Sequence, residues 1–172
     1  MVGSEGTLGF VSAVTYNTVP EYPDKATALL VFRDAESCCR AASALRSQPV
    51  AAVELLDRRS LRSVQDKPGL PDWIHDLSES ACALLVETRA SSSQVLDEQL
   101  TRIRACLAEF PLEQRVDFTR DAKVSDQLWA IRKGTFPAVG AVRPNGTTVI
   151  IEDVTFPIDQ LSEGVTRLQS LF

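Results

Sequence analysis

The sequence predicts an α+β domain, and three observations carry that reading. Two β-α-β runs follow one another between residues 28 and 118, each a helix candidate between two short apolar strand candidates. The helix candidates repeat apolar residues at three- and four-residue intervals, so each has one face to bury. A long irregular stretch containing Pro68, Gly69 and Pro71 separates the runs and permits a connection other than a simple parallel crossover.

Ala28–Phe32 is the first strand candidate of this part. Asp34 can cap a helix over roughly 35–46, with Ala35, Cys38, Ala42 and Leu45 on one face. Val50–Leu56 forms the second strand, and Cys82–Thr88 the third. Ser91 or Ser92 opens a helix carrying Leu96, Leu100, Ile103 and Leu107, which Pro111 ends before a strand over Gln114–Phe118. The arrangement fits a ferredoxin-like antiparallel sheet covered on one face by helices, with a doubly wound parallel sheet as the competitor. A third helix is expected from Asp121 to Ala130, with Val124, Leu128 and Ile131 inward and Gly134 and Pro137 weakening or ending it. Thr147–Ile151 reads as a strand. After Pro157, the spacing of Ile158, Leu161, Val165, Leu168 and Phe172 predicts a last amphipathic helix.

The N-terminal part has a different texture. Gly3-Ser4-Glu5-Gly6-Thr7-Leu8-Gly9 is a dense glycine turn. Phe10, Ser12, Val14 and Tyr16 alternate with Val11, Ala13 and Thr15, which predicts a strand over Phe10–Val19. Pro20-Glu21-Tyr22-Pro23-Asp24 breaks that pattern as a linker. Glycines permit positive φ, and their amides can approach phosphate, but a purely structural turn needs glycine for the same reason. No Lys-Ser/Thr follows as in a Walker loop, and no βαβ unit surrounds a GxGxxG.

Composition narrows the field of functions. With 172 residues, 44% apolar and 24% charged, the chain can build a real core. A net charge of −5 argues against nucleic acid, which requires a basic footprint. No run is long and apolar enough to span a bilayer, and no secretory signal opens the chain, so a cytoplasmic location is expected, with peripheral membrane association of a parent protein left open. Cys38, Cys39, Cys82 and Cys106 contain no CxxC, and His75 is the single histidine; no metal site is expected here. Cys38 and Cys82 read as small buried side chains.

The run Val2-Gly3-Ser4-Glu5-Gly6-Thr7-Leu8-Gly9-Phe10-Val11 resembles the late flavin-domain motif of FAD-linked oxidases in the vanillyl-alcohol-oxidase superfamily. Leu128-Trp129-Ala130-Ile131-Arg132-Lys133 and Val149-Ile150-Ile151-Glu152-Asp153-Val154-Thr155-Phe156-Pro157 resemble the substrate-side, or cap, domain of one branch. That branch holds D-lactate dehydrogenase, D-2-hydroxyglutarate dehydrogenase and one of the subunits of glycolate oxidase. Ala141-Val142-Arg143-Pro144-Asn145-Gly146 resembles a longer form fused to an iron–sulfur region.

The resemblance implies a division of the chain. Residues 1–19 would be the last loop and strand of an upstream FAD-binding domain, 20–25 a linker, and 26–172 a substrate domain truncated at its C-terminus. Gly3, Ser4, Glu5, Gly6, Thr7 and Gly9 would contribute to FAD, whose other contacts lie upstream. The isolated piece is therefore expected to bind no cofactor and to be inactive alone. The parent would oxidise a D-2-hydroxy acid and pass electrons to an electron-transfer domain or protein. Its iron–sulfur cluster and divalent metal would lie outside this chain. The alternative is a ferredoxin-like structural or interaction domain with no active-site role.

Arg132 matches the arginine that binds the substrate carboxylate in the hydroxyglutarate branch, and a guanidinium suits that task by its planar fork. Lys133 and Arg143 are the further candidates. Read without the resemblance, Arg132 is a solvated helix arginine. The pattern also departs from the family's: Ile151 stands where some relatives carry lysine, and Phe136 where threonine is expected. Glu152 and Asp153 could orient Arg132, support the flavin edge or start the last helix. His75 has no evident orienting partner, and Trp73 and Trp129 suit packing.

Overall fold

A computed structural model describes residues 3–67, 70–142, 144–147 and 154–171. Its centre is a four-stranded sheet of β1 (Asp24–Phe32), β2 (Ala52–Asp57), β3 (Cys82–Ala90) and β4 (Gln114–Thr119), in the order β2-β3-β1-β4. Every neighbouring pair is antiparallel. β1 and β3 pair along their whole length, from Asp24 opposite Ala90 to Phe32 opposite Cys82. Each β-α-β run therefore places its two strands parallel but not adjacent, with a strand of the other run between them. That is the split βαβ arrangement of a ferredoxin-like α+β fold, and it excludes the doubly wound parallel sheet. Between Thr27 and Leu29 the β1–β4 register shifts, so Asp117 and Phe118 together oppose Ala28 in a bulge.

The helices form where capping and periodicity agree. Asp34 accepts from the Ser37 amide at 2.7 Å and starts α1 (Ala35–Leu45); Ser92 caps α3 (Ser93–Leu107). Leu96, Leu100, Ile103 and Leu107 are all buried, as their spacing predicts. Against one face of the sheet, Ala28, Leu30, Phe32, Leu84 and Val86 pack on Cys38, Leu45, Ile103 and Leu107. The second face is covered as well, contrary to the one-sided expectation. There Leu29, Val31, Leu56 and Leu85 meet Leu61 and Val64 of α2 (Arg58–Val64), and Leu128 and Ile131 of α4 (Ala122–Val142).

α2 and the 3₁₀ turn Asp72–Asp76 lie in the stretch expected to be irregular. α2 has a local cause: Asp57 accepts from the Ser60 amide at 2.8 Å, and Leu61 and Val64 fall one turn apart on the buried side. α4 also runs beyond Gly134, past Pro137, to Val142. A helical glycine costs about 1 kcal/mol against alanine. Here Gly134 is buried, and a Cβ in its place would collide with the Lys67 ammonium of the segment after α2. Lys67 is exposed and its flexible end could swing aside, while Val64 of α2 stands at an ordinary 3.7 Å, so the helix continues through its packing on α2 rather than through a need for glycine.

The last helix begins as the spacing predicts, with a 3₁₀ turn over Ile158–Gln160 leading into α5 (Leu161–Gln169). Ser43 of α1 donates to the Ile158 carbonyl at 2.8 Å, tying α5 to α1. The Phe156 ring lies 2.5 Å from where a Gly164 Cβ would stand, so the ring uses the missing side chain as its seat.

The predicted strand over Phe10–Val19 does not form. Within the described sheet β1 and β3 are paired on both sides, and this segment joins neither open edge. Without a ladder partner its alternation buries nothing, and Phe10 is 93% exposed. The strand expected over Thr147–Ile151 lies largely outside the described residues.

Burial at the sheet centre has a measurable consequence. Leu85→Ala, at a fully buried position facing α2 and α4, is expected to cost about 2–5 kcal/mol in urea unfolding. Leu55→Ala on the neighbouring strand, at 36% exposure, should cost less than half as much.

Candidate functional site

The second face of the sheet ends in polar chemistry rather than aliphatic packing. Ser125, Trp129 and Arg132 stand at i, i+4 and i+7 on α4, one stripe of a single helix. Each reaches a different strand. Ser125 Oγ lies 2.7 Å from Thr27 Oγ1 on β1, Trp129 Nε1 donates to Glu87 Oε2 on β3 at 2.6 Å, and Arg132 Nε donates to Glu54 Oε2 on β2 at 3.3 Å. Because β3 lies between β1 and β2, α4 crosses the strands obliquely and is fixed once to each.

Glu87 is the buried centre of this seam, at 2% exposure. Its Oε1 accepts from Arg89 Nε at 2.7 Å, and its Oε2 accepts from Trp129 and, at 3.1 Å, from Thr27 Oγ1. Threonine has a single hydroxyl proton, so when Thr27 donates it to Glu87 the Ser125 hydroxyl must donate to Thr27. Burial alone would raise the Glu87 pKa. The hydrogen bonds and charge of Arg89, with the donors Trp129 and Thr27, outweigh it and hold the carboxyl below its ordinary range. Glu87 is thus an ionised buried anchor. A cavity of about 590 Å³ opens beside it, lined in part by Tyr22, Val50, Ala52, Arg89 and Trp129.

The seam runs from buried to open. Arg132 is 51% exposed and Glu54 37%, so the pair stands at the solvent end. Lys133 is exposed on the next position of the helix and joins no part of the seam, while Arg143, Glu152 and Asp153 lie outside the described residues. Trp129 packs against the core, as its residue type suggests, and also donates to Glu87. Sequence reasoning passed over Glu87, Thr27, Ser125 and Glu54. Glu87 had a visible signal: it is the acid that directly follows the apolar run Cys82–Val86.

The other titratable candidates are quieter. His75 is half exposed with Asp66 4.0 Å away, and its carbonyl accepts from Arg58. Cys38 is raised by its hydrogen bond with Cys82 and by burial. Burial, then the neighbouring Cys82, pushes Cys39 up to about 11, and burial with Glu109 raises Cys106. These thiols are protonated at neutral pH and are poor nucleophiles or metal ligands. Among the described residues no three potential ligands gather.

The glycine turn lies apart from the seam. Gly3 and Gly6 have φ of +82° and +81°, with Glu5 at 47° between them. Nothing lies within 4 Å of where a Cβ would stand on either glycine. Their need for glycine is therefore one of backbone conformation, not of crowding inside this chain. The Thr7 amide and hydroxyl both donate to the Ser4 carbonyl, at 2.9 and 2.6 Å, which closes the turn.

Comparison with known proteins agrees with this architecture. Residues 22–172 match the family model for FAD linked oxidases, C-terminal domain. The chain belongs to that family. It is 24% identical over 174 residues to the glycolate oxidase subunit GlcD of Bacillus subtilis, covering 99% of this chain and 35% of the relative. Similarity to GlcD of Escherichia coli K12 is 27% over 177 residues, covering 99% and 33%. The mitochondrial D-lactate dehydrogenase [cytochrome] of Arabidopsis thaliana is 27% identical over 169 residues, covering 97% and 28%. The chain thus spans about a third of the length of these relatives. None of its described helices is long and apolar enough to cross a membrane.

The seam makes stability depend on pH in a defined direction. Glu87 has a folded pKa below its unfolded one, so its contribution is fully present above the ordinary carboxylate value and is lost as pH falls through the lower folded value. Glu87→Gln should cost about 1–3 kcal/mol near pH 7, because an amide nitrogen then faces one of three donors. In urea unfolding at a series of pH values, the gap to wild type should narrow below about pH 4.5. A gap that does not change from pH 7 to pH 3 would show that the carboxylate is not the anchor.

Proposed function

We propose that this chain forms the substrate-side wall of an FAD-dependent dehydrogenase that oxidises a D-2-hydroxy acid to the 2-oxo acid. Glycolate and D-lactate are the acids to which the relatives' names point; D-2-hydroxyglutarate belongs to the same class. The observation that carries the reading is the placement of Arg132. It is the solvent-facing member of a helix stripe whose other two members, buried Ser125 and partly buried Trp129, are both hydrogen-bonded to the sheet, so a cation is presented from a rigid base. Its guanidinium would hold the substrate carboxylate, with Lys133 and Arg143 as secondary cations.

FAD, when bound, supplies the acceptor for the two electrons leaving the hydroxyl-bearing carbon. This chain's part is to fix the acid by its carboxylate, so that this carbon is held in one orientation. Gly3, Ser4, Glu5, Gly6, Thr7 and Gly9 would add a backbone edge to a flavin site formed mostly by an FAD-binding domain. Left-handed backbone with open space at Gly3 and Gly6 suits such an approach. The exposed Leu8, Phe10, Val14, Tyr16 and Val19 would be covered by that domain. Electrons would pass on to an electron-transfer domain or protein, and the site of work would be cytoplasmic.

The test joins this chain to its flavin domain and follows bleaching of the bound flavin by a panel of D-2-hydroxy acids. Arg132→Ala should weaken acid binding about 10- to 100-fold, the loss of a charge-assisted hydrogen bond, and Arg132→Lys should recover part of it. Flavin reduction with an unchanged dependence on acid concentration in Arg132→Ala would reject the carboxylate role.

A further inference from the structure

Arg132 does not stand alone, and the way it is held restricts how it can be used. A guanidinium offers two edges to a carboxylate: a side edge that includes Nε, and an end formed by the two terminal nitrogens. Glu54 Oε2 lies 3.3 Å from Nε and so occupies the side edge. Among the described residues no other acid lies within ion-pair distance of Arg132. Among the described residues, the terminal nitrogens are left for a second partner.

The two residues differ in rigidity. Arg132 is a long side chain with large rotamer freedom, projecting from a helix. Glu54 rises from the middle of β2, in register with Leu85 of β3, and shares the sheet face on which α4 lies. The neighbouring buried acid, Glu87, is engaged elsewhere, accepting from Arg89, Trp129 and Thr27.

Resting on the carboxylate role of Arg132, we propose that Glu54 is its positioning residue. It pins Nε and turns the terminal edge of the guanidinium outward, so that an incoming monocarboxylate docks end-on against a preset fork. An exposed ion pair contributes little to stability, which fits a pair that serves geometry. Glu54 acts through Arg132.

The flavin-loaded protein tests this with glycolate and D-lactate as probes, and with the 2-oxo acid products as non-reacting ligands read from the flavin absorbance. Glu54→Ala should raise KM and the product Kd by about three- to tenfold while changing kcat less. Glu54→Gln retains an acceptor oxygen and should stay within about threefold of wild type. If Glu54 instead competed with substrate, both variants would bind acids more tightly. Glu54→Ala binding as well as or better than wild type overturns the proposal, as does Glu54→Gln impaired as much as Glu54→Ala. Arg132→Ala is measured alongside. Its failure to weaken binding would remove the underlying reading, whereas a loss in Arg132→Ala with none in Glu54→Ala removes only the role of Glu54.

Discussion

A carboxylate taken almost wholly out of water must be paired or protonated, and that constraint on Glu87 organises one face of this domain. Three donors from three elements meet it: Arg89 from its own strand, Thr27 from β1 and Trp129 from α4. Arg89 reaches it from any register, but Thr27 can reach only if the β1–β3 register is correct and Trp129 only if α4 is correctly rotated. A slip of one residue in β3 would turn Glu87, and Arg89 with it, to the opposite face among the aliphatic contacts of α1 and α3, away from Thr27 and Trp129. The acid thus penalises a wrong register through the loss of Thr27 and Trp129.

The same constraint fixes α4 on a sheet whose aliphatic contacts alone would leave it freer to slide. Leu128 and Ile131 give burial without direction, since apolar contacts are indifferent to small rotations. Ser125 and Trp129 add direction, because a hydrogen bond weakens steeply when misaligned. Arg132, one turn beyond Trp129, inherits the position of that helix. Packing is in this way converted into a placed charge at the surface.

Much of the fold was legible because its signals are local. Asp34 and Ser92 cap helices, Leu96 to Leu107 keep helical spacing, and the two β-α-β runs prefigure the split topology. Features decided by contacts distant in sequence were less so. α4 continues through Gly134 where it lies against Val64 of α2, which is no neighbour in sequence. Phe10–Val19 has the alternation of a strand, but alternation states only that one side could be buried, not that a partner is present. Arg132 came from a resemblance. Its companion Glu54 is 78 residues away along the chain, and only β2 crossing beneath α4 joins them.

One seam contains two carboxylates with opposite fates, and burial decides between them. Glu87 is enclosed and satisfied by three donors, so no ligand can claim those donors without leaving a buried charge exposed to loss. Glu54 is partly in water and holds one nitrogen of an arginine that keeps others to offer. Solvent lowers the cost of rearranging that outer pair, so a carboxylate bound as proposed would join it without dismantling the core beneath. On the proposed function, recognition would belong at the wet end of the seam and rigidity at the dry end, with α4 and the β2–β3 pairing coupling them.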